Sequence, residues 1–177
     1  MAIQAEEGGD AEILSAAALL HDCVAIDKSS PLRSTASLRA ADKARVVLAD
    51  MDWAQAKVDA TAHAIEAHSF SGGIPPQTLE AKILQDADRL DALGMIGAAR
   101  CFYVAGTLGR SMYDPMDPIA SQRAYDDTRF TVDHFHTKLL TLADSFQTTA
   151  GSRMAKTRQD TLKLFLDKLM EEIDGIG

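Results

Sequence analysis

Cysteine, proline and tryptophan are scarce in this chain, with two, five and one occurrences among 177 residues. Cys23 and Cys101 form no Cys-x-x-Cys pair and lie in apolar helical contexts, so we expect free thiols and a reducing, cytoplasmic location. No basic flank precedes an apolar stretch at the N-terminus, so no signal peptide is visible. No apolar run approaches the roughly 20 residues of a membrane helix, and we therefore expect no membrane partner.

Basic residues are also in the minority, because 18 Lys and Arg stand against 26 Asp and Glu, which gives a net charge of −8. This balance disfavours non-specific binding to nucleic acid or to anionic lipid. It still permits a small phosphorylated substrate in a local basic pocket. Apolar residues make up 46% of the chain, which indicates a folded protein, and the length fits a single domain over residues 1–177.

Apolar residues recur at helical spacing along most of the chain, and no strand, repeat or low-complexity segment is apparent. Four helices are predicted to begin after polar caps and a fifth after an Asp-Pro pair. These starting points are Asp10, Ser34 or Thr35, Asp52, Thr78 and Asp117-Pro118. Gly175 is predicted to end the last helix. The fold prediction is therefore an all-α single domain with about six helices.

An apolar run, Ala16-Ala17-Ala18-Leu19-Leu20, ends in the adjacent pair His21 and Asp22. An imidazole nitrogen beside a carboxylate oxygen suits a divalent metal of intermediate softness, such as Mn, Fe, Co or Zn. The two side chains are turned about 100° apart on an ideal helix, so they converge only if the backbone unwinds at the helix end. The alternative is that His21 is a buried histidine with a hydrogen bond to Asp22.

A second acidic cluster contains Asp86, Asp88 and Asp91. Asp88 and Asp91 share a helix face, whereas Asp86 lies on another. Apolar residues interleave with the cluster, so at least one carboxylate should border the core and need a partner, either Arg89 or a metal. The alternative is a solvated acidic patch.

Several further side chains are candidates for a pocket. His68 ends a predicted helix in register with its alanine face, which points it inward; the alternative is a histidine at a helix C-terminus that interacts with the dipole. His134 is a better pocket candidate than His136 or His63, although a satisfied core histidine is the commoner case. Lys28 and Arg33 follow the His-Asp helix among serines and could bind phosphate, or they could belong to a solvated loop.

These residues resemble the HD superfamily of metal-dependent phosphohydrolases, through Leu19-Leu20-His21-Asp22 and Asp86-Ala87-Asp88-Arg89-Leu90-Asp91. The similarity extends over nearly the whole chain to a small bacterial branch of uncharacterised HD-domain hydrolases. Further similar stretches are Ser30-Pro31-Leu32-Arg33, His68-Ser69-Phe70-Ser71-Gly72-Gly73, Tyr113-Asp114-Pro115, Asp117-Pro118, and His134-Phe135 followed by Lys138-Leu139-Leu140.

The resemblance implies an all-helical fold, a divalent metal (Mn, Fe, Co, Zn, Ni or Mg), and hydrolysis of a nucleotide or another small phosphate ester or anhydride. It implies His21, Asp22 and Asp88 as metal ligands, because the acid before Arg-Leu is the ligand in relatives with Ala-Asp-Arg-Leu, such as alarmone hydrolases. His68 resembles a pocket residue of this branch. With Asp91 it is the candidate to position or deprotonate the attacking water.

The sequence departs from the family pattern at one point, because no histidine precedes His21, where the family has its first ligand. We therefore expect an N-terminally incomplete domain, an open pocket, and an apolar groove that favours a homodimer. His68, His134 or a neighbouring chain's histidine could fill the vacant ligand position. The same departure supports an alternative, a degenerate HD domain that binds ligands or partners without catalysis.

Overall fold

The computed structural model describes residues 2–26, 30, 32–69 and 72–176. Across these ranges the secondary structure is helical, and strand pairing is limited to an isolated bridge between Ser111 and Phe130. The α-helices are α1 (Ala2–Glu7), α2 (Ala11–Leu20), α3 (Ala36–Asp50), α4 (Gln55–His68), α5 (Leu79–Leu90), α6 (Gly94–Thr107), α7 (Thr131–Thr137) and α8 (Thr149–Ile173). The all-α prediction is confirmed, with eight helices in the described ranges instead of about six. No described helix combines the length and the apolar character that crossing a membrane requires.

The chain divides into two compact units, of which the first comprises residues up to Asp88 together with Gln147–Gly151. Within it, α4 packs against α2 and α3. Eight of the ten residues in its buried cluster are alanines, and a side chain of one methyl group lets helix axes approach closely. The cluster consists of Ala17, Ala40, Ala41, Ala44, Ala62, Ala64, Ile65, Ala67, Ala81 and Leu84.

The second unit comprises Arg89–Phe146 and the chain from Ser152 onward. Three aromatic rings contact one another within it, and Phe135 is fully buried. The ring centre of Phe102 lies 5.8 Å from that of Phe135 and 6.0 Å from that of Phe165, and the last two rings stack at 6.0 Å. Burial raises the pKa of the nearby Cys101 thiol to about 11, so this free cysteine stays protonated at neutral pH.

Asp52 was predicted to cap α4, but α4 begins three residues later, at Gln55. Asp52 instead follows the end of α3 in the left-handed region, with φ at 58°. Its N–H donates to Ala49 O, and the N–H of Trp53 donates to Leu48 O. This bond pair is the Schellman motif, so Asp52 completes the preceding helix and does not start the next one.

The helix predicted from Asp117-Pro118 is also wrong, because this segment is a loop and α7 begins only at Thr131. The Asp117 carboxylate accepts hydrogen bonds from the N–H groups of Ser121 and Gln122, both at 2.8 Å. These contacts bend the chain into a compact turn. An aspartate side chain that satisfies nearby amides in this way competes with helix formation.

Candidate metal centre

His21 lies where α2 ends, in the first unit. Asp10 starts this helix, accepting hydrogen bonds from the N–H groups of Glu12 and Ile13, and α2 continues to Leu20. The His21 Nδ1 lies 2.9 Å from Ala18 O. An imidazole nitrogen at this distance from a carbonyl oxygen carries the proton, which leaves the Nε2 lone pair available to an ion.

Asp22 follows immediately, in the turn after the helix, and its side chain is exposed. Its Oδ2 lies 3.7 Å from His21 Nε2. The two adjacent side chains therefore converge at the helix end, and this convergence is the condition for both of them to bind one ion. Two ligand atoms on one tetrahedral ion, with bonds of about 2.1 Å, lie about 3.4 Å apart.

His68 reaches the same place from α4, which it ends. Ser69 is extended, and Gly73 adopts a positive φ of 66°, so the chain leaves the helix directly after the histidine. The ring is buried, and its Nδ1 lies 2.5 Å from Ile65 O. As with His21, this bond leaves Nε2 as the free ring nitrogen.

The three side chains form one group, in which each offers a ligand atom and all of these atoms lie within 4.8 Å of one another. The rings of His21 and His68 are nearly perpendicular, with centres 5.0 Å apart. Two imidazoles on one tetrahedral ion with bonds of about 2.0–2.1 Å have ring centres about 5 Å apart. Two neutral imidazoles and one carboxylate thus fit a divalent ion such as Zn, Mn, Fe or Co.

Two further acids, Asp88 and Asp91, were predicted for the site. Asp88 lies on the exposed side of α5 and is not a member of the three-residue group, so its role as a ligand stays a prediction. Asp91 belongs to the second unit, where its Oδ2 lies 3.5 Å from Arg100 Nη1. Its role in positioning water likewise stays a prediction.

Of the predicted phosphate-binding residues, Lys28 lies outside the described residues. So do Ser29, Pro31, Phe70 and Ser71 of the motifs quoted above. Arg33 is exposed, and its Nη1 donates to Ile26 O at 3.2 Å.

A further basic residue, Lys43 of α3, was missed by sequence reasoning. Its Nζ lies 3.3 Å from the carbonyl oxygen of Cys23, one residue after Asp22. No sequence spacing relates the two, so only the packing of α3 shows the contact.

The buried carboxylate of the second acidic cluster is Asp86, which is wholly buried. The expected partners were Arg89 or a metal, and the structure shows backbone and hydroxyl donors. It accepts hydrogen bonds from the N–H groups of Gln147 and Thr148, both at 2.8 Å, and from Thr148 Oγ1 at 2.7 Å. Amides before a helix N-terminus stabilise a carboxylate without a cation.

The remaining histidines have partners of their own. His134 Nδ1 lies 2.9 Å from Asp127 Oδ2, and this contact lowers the pKa of the carboxyl. His134 is therefore hydrogen-bonded within the protein, as the alternative interpretation of this residue expected. His63 Nε2 accepts the N–H of Gln77, and His136 stacks on Tyr125.

Comparison with known proteins decides the family. The family model of the HD domain matches residues 1–93, slightly more than half of the chain. The chain belongs to the HD-domain family. The uncharacterised protein YpgQ of Bacillus subtilis (strain 168) is 32% identical over 175 residues, which cover 97% of this chain and 77% of YpgQ.

Solved HD-domain structures agree. A crystal structure of an HD-superfamily hydrolase from Bacillus thuringiensis matches with a TM-score of 0.71 and 31% identity, covering 97% of this chain and 79% of that one. The crystal structure of Bacillus subtilis YpgQ in complex with ADP matches with a TM-score of 0.74 and 29% identity, covering 99% and 84%. The resemblance inferred from the sequence is thereby confirmed.

Proposed function

We propose that this HD-domain chain is a metal-dependent phosphohydrolase that acts on a nucleotide or another small phosphate ester or anhydride. The observation that carries the proposal is the convergence of His21, Asp22 and His68 in a chain of this family. The complex of YpgQ with ADP supports a nucleotide as the substrate class.

In this proposal, His21, Asp22 and Asp88 hold one divalent ion, of Mn, Fe, Co, Zn, Ni or Mg. When bound, such an ion supplies a Lewis acid for a phosphoryl oxygen and lowers the pKa of a bound water. His21 presents Nε2 because its Nδ1–H is held by Ala18 O, and Asp22 neutralises part of the added charge.

The other predicted residues act on water and substrate. His68, which belongs to the three-residue group, would take a proton from the attacking water through Nε2, with Asp91 as a second candidate. Arg33 and Lys28 are proposed to bind substrate phosphate. Lys43 is a further candidate because its ammonium group lies beside the turn that carries Asp22.

The proposal is tested by phosphate release from a nucleotide panel with added Mn²⁺ or Co²⁺. We expect turnover by the parent chain, a loss of about 100-fold or more in Asp22→Asn, and little change in Asp50→Asn, which alters an exposed acid at the end of α3. An Asp88→Ala variant that matches the parent at every metal concentration would remove Asp88 from the ligand set.

A non-catalytic HD module that binds ligands or partners is the competing outcome of this test. Nucleotide binding without turnover at any metal concentration would favour it. Cytoplasmic location, organisation as a single domain and homodimerisation are further parts of the proposal, and gel filtration with light scattering tests the last of them.

A further inference from the structure

Two consecutive polar residues of α5, Gln85 and Asp86, are buried in the first unit, with 3% and 0% of their surface exposed. Neither has a role in the proposed chemistry. Successive helix positions point about 100° apart, so the two side chains reach different neighbours. Gln85 contacts the end of α4, and Asp86 contacts the start of α8.

The contact of Gln85 is with the last turn of α4. Its Nε2 donates to Ala67 O at 2.6 Å, and Ala67 directly precedes His68. The last four carbonyls of a helix have no donors from within the helix, so this turn depends on side chains. Here Ile65 O accepts from His68 Nδ1, and Ala67 O accepts from Gln85.

The contact of Asp86 anchors α5 on its other side. Three donors from Gln147 and Thr148 satisfy this carboxylate. A Cβ at Gly151 would lie 2.4 Å from Asp86 Oδ2, so the backbone of α8 passes close to the carboxylate. Gln85 therefore holds α4 against a helix that is itself fixed.

We propose that Gln85 is a positioning residue for His68. By holding Ala67 O, it keeps the last turn of α4 helical, and this turn places Ile65 O where it accepts the Nδ1–H of His68. That bond fixes the tautomer and orients Nε2 toward His21 and Asp22. The inference rests on the metal centre of the proposed function, and it takes the alternative in which His68 fills the vacant ligand position instead of accepting a proton from the attacking water.

Removing an outer hydrogen bond that orients a metal-ligating histidine typically lowers metal affinity by about 10- to 100-fold. We therefore expect Gln85→Met, which keeps the length of the side chain and removes its donor, to bind Co²⁺ about 10- to 100-fold more weakly than the parent. The measurement is titration calorimetry together with the visible spectrum of the Co²⁺ complex, with the fold checked by circular dichroism.

The matched control is Thr61→Val in α4, which removes a wholly buried hydroxyl that has no hydrogen-bond partner. It should leave Co²⁺ affinity within about twofold. A folded Gln85→Met variant with the Co²⁺ affinity and spectrum of the parent overturns the positioning role. A parent that binds no Co²⁺ overturns the proposed function instead.

A second measurement needs neither metal nor a stable variant. Nitrogen-15 chemical shifts of the histidine rings in the metal-free parent report the tautomer of His68, which we expect to carry its proton on Nδ1. A proton on Nε2 overturns the inference even if Gln85→Met fails to fold. In a folded Gln85→Met variant, the Nδ1–H population should fall.

Discussion

At the scale of single residues, the environment of Asp86 decides what position 151 tolerates. Gly151→Ala would put a Cβ 2.4 Å from Asp86 Oδ2 and 2.7 Å from Thr148 Oγ1, closer than such atoms approach. We expect the free energy of unfolding to fall by about 1–3 kcal/mol, because a buried carboxylate and its donors must move apart. Urea denaturation measures it.

The control is Gly106→Ala in α6, where an added Cβ meets no heavy atom within 4 Å. Alanine is the better helix former, so this variant should gain about 0.5–1 kcal/mol. The two substitutions are chemically identical and should have opposite signs. Equal effects at both glycines would contradict the packing at Gly151.

His136 gives a residue-scale prediction for pH. Burial lowers its pKa, while Asp133 acts in the opposite direction. Because the pKa is lower in the folded chain, the unfolded chain binds the proton first as pH falls. The stability that neutral His136 contributes is fully present above the pKa of the unfolded chain, about 6.5. It is lost as pH falls through the lower pKa of the folded chain. Urea midpoints at pH 7.5 and pH 5 should show this loss.

His136→Phe should reduce the dependence of stability on pH, because phenylalanine does not titrate. Its ring can preserve the stack on Tyr125, whose ring centre lies 4.9 Å from that of His136. His63→Gln serves as the comparison, since it removes a histidine at another site. An unchanged pH dependence in His136→Phe would refute the assignment to His136.

At the scale of elements, Arg123 fixes the loop that replaced a predicted helix. Its guanidinium donates to both carboxylate oxygens of the wholly buried Asp133 and lies 4.5 Å above the ring of Phe130. Arg123→Met would leave Asp133 without its cation. We expect the free energy of unfolding, measured by urea denaturation, to fall clearly more than it does on loss of an exposed ion pair.

Two controls separate this effect from lost packing. Arg123→Met combined with Asp133→Leu should recover part of the loss, since no buried charge remains unpaired. Arg100→Met removes an exposed partner of Asp91 and should cost less than about 1 kcal/mol. A small loss in Arg123→Met alone would show that the ion pair does not hold the loop.

The elements that sequence analysis predicted well are those whose signals are local. Asp10 caps α2 and Thr78 Oγ1 accepts a bond at the start of α5, as expected from residue type and spacing. The short helix α1 was not predicted from local signals, and its last residue, Glu7, accepts a hydrogen bond from the N–H of the distant Ala150. Tertiary contacts of this kind override local preference.

The candidate site divides in the same way. His21 and Asp22 are neighbours in sequence, so their convergence could be predicted from the end of one helix. His68 joins them from 46 positions beyond Asp22, which only the packing of α2 against α4 specifies. The donors to Asp86 lie 61 and 62 residues away. The sequence therefore predicted that a buried carboxylate needs a partner, but it did not identify which residues supply the donors.

At the scale of the whole molecule, the unit that holds the candidate metal centre is discontinuous. It needs Gln147–Gly151 in addition to the residues that the family model matches. A fragment of residues 1–93 would keep His21, Asp22 and His68 but lose every donor to Asp86. We expect this fragment to lack a cooperative thermal transition by circular dichroism, because the unit loses the buried residues Thr148 and Ala150 together with the donors to Asp86.

The control is the same fragment followed by a Gly-Ser linker and residues 147–151, which restores the donors and should recover part of the helical signal. A fragment of residues 1–93 that unfolds cooperatively without this addition would show that Gln147–Gly151 is dispensable.

The bond between Glu7 and Ala150 joins residues 143 positions apart. A ribosome adds about 5–20 residues per second, so Glu7 waits roughly 7–30 s after its own synthesis before Ala150 exists. Throughout that interval the Glu7 carboxylate lacks this donor. Synthesis speed, and not chain diffusion, therefore sets the earliest moment at which this bond can form.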